Sequence, residues 1–147
     1  MKRILFICAI ALALCSSAFG QVSPKAVFGT LTNHATVTGC GQSKDGADTT
    51  GACVAAQLPQ NSGSFSIQVL GTFTGTVQFE VSNDGINFYN QTGYPTPTGA
   101  AVSDTVNTAG LWRFQAGAYS WVRARASALT GGTPAIRIYT SAAPITY

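Results

Sequence analysis

The stretch Ser64–Asn90, SFSIQVLGTFTGTVQFEVSNDGINFYN, decides the fold class. Phe65, Ile67 and Val69 alternate with Ser64, Ser66 and Gln68, and Val77, Phe79 and Val81 alternate with Thr76, Gln78 and Glu80. A hydrophobic period of two marks half-buried antiparallel strands, because successive side chains leave a strand on opposite faces. Gly71–Gly75 separates the two runs, and Ser82-Asn83-Asp84-Gly85 follows the second. Asp-Gly between alternating runs signals a hairpin, with Asp84 and Gly85 as the turn, since glycine enters positive φ at no steric cost. The stretch therefore reads as three short strands joined by two turns.

Working outward, the pattern recurs. Upstream, Lys25–Leu31 and His34–Thr38 read as strands, and the segment from residue 40 to residue 63 reads as a loop and polar connector, with Pro59 and Gly63 opposing regular structure. Downstream, Gln91–Gly99 carries two prolines and two glycines and reads as a loop. Short strands are then expected around Ala101–Thr105, Gly110–Phe114, Tyr119–Ala126 and Ala135–Thr140, with Gly131–Pro134 as a turn. Eight or nine short strands and no helix predict an all-β fold, a single antiparallel β-sandwich of jelly-roll or immunoglobulin-like type. A small barrel is the alternative.

The N-terminus reads differently. Met1-Lys2-Arg3 is basic, Ile4–Leu14 is apolar but short for a bilayer span, and small residues at Ala18 and Gly20 suit cleavage before Gln21. This three-part pattern predicts a signal peptide over residues 1–20 and one domain over 21–147: N-terminal strands and a cysteine loop (21–61), a sandwich core (62–140) and a tail (141–147). The expected location is secreted or cell-surface, extracellular or periplasmic, with no membrane association after cleavage. Beyond residue 20, six basic residues stand against five acidic ones, a formal +1. That balance gives no electrostatic footprint for nucleic acid. Of four cysteines, Cys8 and Cys15 fall in the leader, leaving Cys40 and Cys53. An even pair in an exported chain predicts a disulfide.

The succession GSFSIQV, GTVQFEVSNDG, GLWRF, WVRARA and TPAIRI, across roughly residues 62–140, resembles a β-sandwich module of bacteriophage virion proteins and of exported bacterial proteins. The resemblance implies a sandwich fold and, as one role, a virion decoration or tail component. Its motifs are strand and turn patterns, so it assigns no catalytic residue. Ser82–Phe88 also resembles a shortened Asp-box, the hairpin motif of sialidase-like propellers, where the motif is structural.

Candidate chemistry is sparse. His34 is the sole histidine, without a sequence-local acid partner, so neither a Ser-His-Asp relay nor a zinc site with four ligands is expected. Glu80 on the polar side of a strand reads as a solvated or Arg-paired carboxylate. Asp45 and Asp48 lack the spacing of a calcium loop. No enzyme activity, metal or cofactor is expected.

The remaining signal is a surface. Trp121, Arg123 and Arg125 share one parity with Tyr119, while Val122, Ala124 and Ala126 share the other. Arg137 and Tyr139 oppose Ile136 and Ile138 in the last strand. If the two strands are neighbours, Trp121, Arg123, Arg125, Arg137 and Tyr139 form one patch suited to sugar rings, acidic glycans or a protein partner. The alternative is ordinary sheet packing, the arginines stacking on aromatics and pairing with Glu80 or Asp104. The expected function is structural or adhesive, through self-association or contact with a cell-surface or glycan partner. A carbohydrate-binding module is the alternative.

Overall fold

A computed structural model describes residues 25–31, 40, 42–44, 52–59, 62–96 and 102–141. Residues 1–20, expected as a signal peptide, His34, Asp45, Asp48 and residues 142–147 lie outside them. In chain order the strands are β1 (Lys25–Thr30), β2 (Gln42–Ser43), β3 (Cys53–Gln57), β4 (Ser64–Leu70), β5 (Phe73–Thr74), β6 (Val77–Ser82) and β7 (Asn87–Asn90), followed by β8 (Tyr94–Thr96), β9 (Thr105–Val106), β10 (Gly110–Gln115), β11 (Trp121–Ala126), β12 (Gly131–Gly132) and β13 (Ala135–Ser141). No helix occurs among the described residues.

The strands form two large sheets. One has the order β1-β13-β4-β10-β8, all antiparallel. The other has the order β2-β7-β6-β11-β3, with β9 also paired to β6 and β2 running parallel to β7. β12 and β5 make a separate small ribbon. The inward side chains of both sheets meet in one apolar cluster. Phe65, Ile67 and Val69 of β4, Trp112 and Phe114 of β10, and Ile136 and Ile138 of β13 contribute from the first sheet. Val77, Phe79 and Val81 of β6 and Val122 and Ala124 of β11 contribute from the second. Phe79 joins the two, its ring 5.4 Å from that of Trp112 and 5.2 Å from that of Phe114, which stacks on Phe65 at 4.6 Å. Aromatic contacts at these spacings add to the area they bury.

Three readings of the sequence need correction. First, β4 and β6 do not form a hairpin: they belong to different sheets, and Gly71–Gly75 is the corner between them. Only β6 and β7, across the Asp84-Gly85 turn, are paired neighbours. Alternation is identical for a hairpin and for two strands facing each other across a core, so sequence could not separate them. Second, Cys53–Gln57 is a strand at the sheet edge, with Val54 and Ala56 buried. Its small residues hide the alternation. Third, Tyr94–Thr96 is a strand despite Pro95. It lies at an edge, where a residue without an N–H is tolerated.

Candidate functional site

β6 is buried on both faces, and this changes the role of the residues singled out on β11. Register places Arg123 opposite Glu80 and Arg125 opposite Gln78. Arg123 Nε donates to Glu80 Oε2 at 2.6 Å, and Arg125 Nε to the same oxygen at 3.3 Å. Glu80 and Arg123 are 0% exposed and Arg125 is 2% exposed. Burial pulls the Arg123 guanidinium below its ordinary range, while the bond and charge of Glu80 pull it back. Its carbon lies 3.9 Å from the centre of the buried Phe88 ring. Its two terminal amino groups have no hydrogen-bond partner among the described residues.

Residues from the preceding segment tie the edges of this sheet. Cys40 is bonded to Cys53 at the start of β3, and Gln42–Ser43 pairs with Asn87–Phe88 of β7. β11 and β6 lie between β3 and β7 in the sheet. The Lys44 N–H also donates to the Phe88 carbonyl, at 2.8 Å. Glu80, expected on a polar strand face, is an internal counter-ion between two guanidiniums.

Trp121 is half-buried at the Asp84-Gly85 turn. Gly85 has φ +71°, and a Cβ there would come within 3.0 Å of the Trp121 ring. Asp84 accepts bonds from the backbone N–H groups of Asn87 (2.7 Å) and Ile86 (2.8 Å), from the Asn87 amide (2.6 Å) and from the Ser82 hydroxyl (2.9 Å). These bonds, the Asn87 backbone N–H foremost, hold its carboxyl well below the usual carboxylate range. The turn is closed by its own groups. Asp104 is similarly engaged, by the Asn90 amide at 3.0 Å.

The five-residue patch does not assemble. Trp121, Arg123 and Arg125 are on β11 in one sheet, while Arg137 and Tyr139 are on β13 in the other, so the neighbour condition is not met. Arg137 and Tyr139 instead meet residues that sequence reading passed over. Cross-strand register makes two rows on the outer face of the five-stranded sheet. The first is Ala26–Tyr139–Ser66–Arg113–Tyr94, and the second is Phe28–Arg137–Gln68–Leu111–Thr96. Phe28 is 61%, Tyr94 53% and Tyr139 38% exposed, and both arginines are exposed. Phe28 and Tyr139 meet edge to face at 5.9 Å, and the Arg137 guanidinium carbon sits 5.7 Å from the Phe28 ring centre. None of the described Asp or Glu residues stands on this face: Glu80, Asp84 and Asp104 belong to the opposite sheet and its loops. The parity of Phe28 within β1 and of Arg113 within β10 was readable, but the strand order that joins them to β13 was not.

Among the described residues no three His, Cys, Asp or Glu side chains are grouped to hold a metal ion. No helix among them is long and apolar enough to cross a membrane.

No protein-family model matches the chain, and no curated protein matches it. Among solved structures, the chain is similar in fold to the crystal structure of SPBc2 prophage-derived protein YomS. The TM-score is 0.53 at 14% sequence identity, over 80% of this chain and 95% of that one.

Proposed function

We propose that this chain is an exported, non-enzymatic β-sandwich protein with a structural or adhesive role, acting through the outer face of its five-stranded sheet. The observation that carries this reading is the exposure of Phe28, Tyr94 and Tyr139 together with Arg113 and Arg137 on one continuous sheet face. Large exposed aromatics beside guanidiniums are the residue types that anchor partners. Among the described residues, Glu80, Arg123 and Arg125 engage one another, Asp84 its own turn and Asp104 the Asn90 amide, which supports a role without catalysis. The Cys40–Cys53 bond is compatible with an oxidising, extracellular setting.

The test is retention of purified protein on producing cells, alongside sedimentation over a concentration range. Wild type is expected to be retained or to self-associate, and Phe28→Ser with Tyr94→Ser to lose that property at unchanged thermal stability. Wild type that stays monomeric and unbound overturns the reading. A second reading, a virion decoration or tail component, draws support from the fold likeness to a prophage-derived protein. Its test is whether the chain co-purifies with phage particles released from the host, and absence from them removes it.

A further inference from the structure

We infer that the outer face of the five-stranded sheet binds a linear acidic polysaccharide laid along β4. This rests on the reading of that face as the working surface and names what it takes. The central strand presents Ser64, Ser66 and Gln68 outward, with Leu70 at its end, each half-buried. The flanking strands stand taller: Arg137 and Tyr139 on the β13 side, Arg113 and Leu111 on the β10 side. The result is a shallow trough with a hydroxyl and amide floor and a guanidinium in each wall.

The two guanidiniums are diagonal to one another. Two strand spacings and two residues separate their backbones, about 10 Å across and 7 Å along, or about 12 Å in all. A chain with repeated carboxylates can meet one from each side of the trough, whereas a single small anion cannot bridge them. Neither arginine has a carboxylate partner among the described residues, so their charge is available. Phe28 beyond β13 and Tyr94 beyond β10 supply ring faces at the margins, suited to stacking on sugar rings. A protein partner fits less well, because protein interfaces place their apolar anchors centrally and their polar groups at the rim. Here the order is reversed.

The test is binding of the full exported chain to immobilised polygalacturonate, with neutral dextran as comparison, at low and at about 0.15 M ionic strength. Wild type is expected to bind polygalacturonate and not dextran, more weakly at the higher salt. Arg113→Gln with Arg137→Gln should bind about tenfold more weakly or worse, the equivalent of roughly one decade in Kd. Its thermal midpoint should match wild type, because both side chains are exposed. Lys44→Gln removes an exposed cation from the opposite sheet and should leave binding within about twofold, a small change in free energy. Absence of wild-type binding overturns the inference. So does equal binding by the double variant, or a Lys44→Gln loss as large as the double variant's, which would mean attraction by net charge alone. Sedimentation of the same samples separates the two levels. Self-association that the double variant abolishes, without polysaccharide binding, makes the occupant a second copy and keeps the face as the working surface. A wild-type monomer that binds nothing removes both.

Discussion

Glu80→Gln is expected to be the most damaging single isosteric change in the six-stranded sheet. The substitution keeps shape and volume and removes only charge. In the folded protein that charge is the counter-ion of two guanidiniums, at 2.6 and 3.3 Å, and the three side chains are 3% exposed or less. An exposed pair of this kind would be worth about 0–1 kcal/mol. Here the variant removes the shared counter-ion of two buried cations, and breaking a buried pair by removing one partner costs about 3–5 kcal/mol. Set against a total stability of about 5–15 kcal/mol, that is a large fraction. At about 4 °C per kcal/mol for a domain of this size, the thermal midpoint should fall by about 12–20 °C. Arg123→Met should cost less. It removes a cation whose terminal amino groups have no partner, and keeps an unbranched chain over Phe88. Combining the two should cost less than their sum, because the interaction is already broken in either single variant. Thermal and urea unfolding followed by circular dichroism measure all three. A Glu80→Gln variant within about 1 kcal/mol of wild type, the range of a solvated pair, refutes the reasoning; so does strict additivity in the double variant.

Replacing Cys40 and Cys53 together by serine should lower stability by about 3 kcal/mol, the chain-entropy value for a loop near this length; an unchanged urea midpoint counts against the bridge as a staple. Asp84→Asn should lower the thermal midpoint at neutral pH. The Asp84 carboxyl is held low in the folded state, so its stabilisation is fully present above the unfolded value of about 3.9 and is lost as pH falls through the folded one. The gap between wild type and variant should therefore narrow below about pH 4, and a gap independent of pH between 7 and 2 would contradict that assignment. Gly75→Ala should cost about 2 kcal/mol or more, because φ is +121° and the added Cβ collides with the Ala128 carbonyl oxygen. Equal expression and an equal midpoint would show that the corner relaxes freely.

Much of the architecture was legible along the chain because strand faces repeat every two residues. The runs Phe65–Val69 and Val77–Val81 place their apolar side chains in the core as alternation requires. The Asp84-Gly85 turn joins a paired hairpin, and Cys40 and Cys53 form the expected bridge. These features are local, or follow from a count. Arg123 and Arg125 show where local reading stops. Their parity correctly puts them opposite Val122 and Ala124, but parity names a face and not what lies over it.

The sequence by itself determined that this chain is built of strands, which side chains of β4, β11 and β13 turn inward, and where its main hairpin turn lies. Those follow from the pleat and from the stereochemistry of glycine, and need no distant partner. Only the tertiary structure decided that β4 and β6 part into different sheets. It also decided that β13 lies beside β4 and not β11, and that Glu80 and Arg123 are buried. Strand order and cover depend on contacts between residues far apart in the chain, and two-residue periodicity carries no information about which strand will be the neighbour. The same alternation therefore produced an internal ion cluster on one sheet and an exposed arginine and aromatic face on the other.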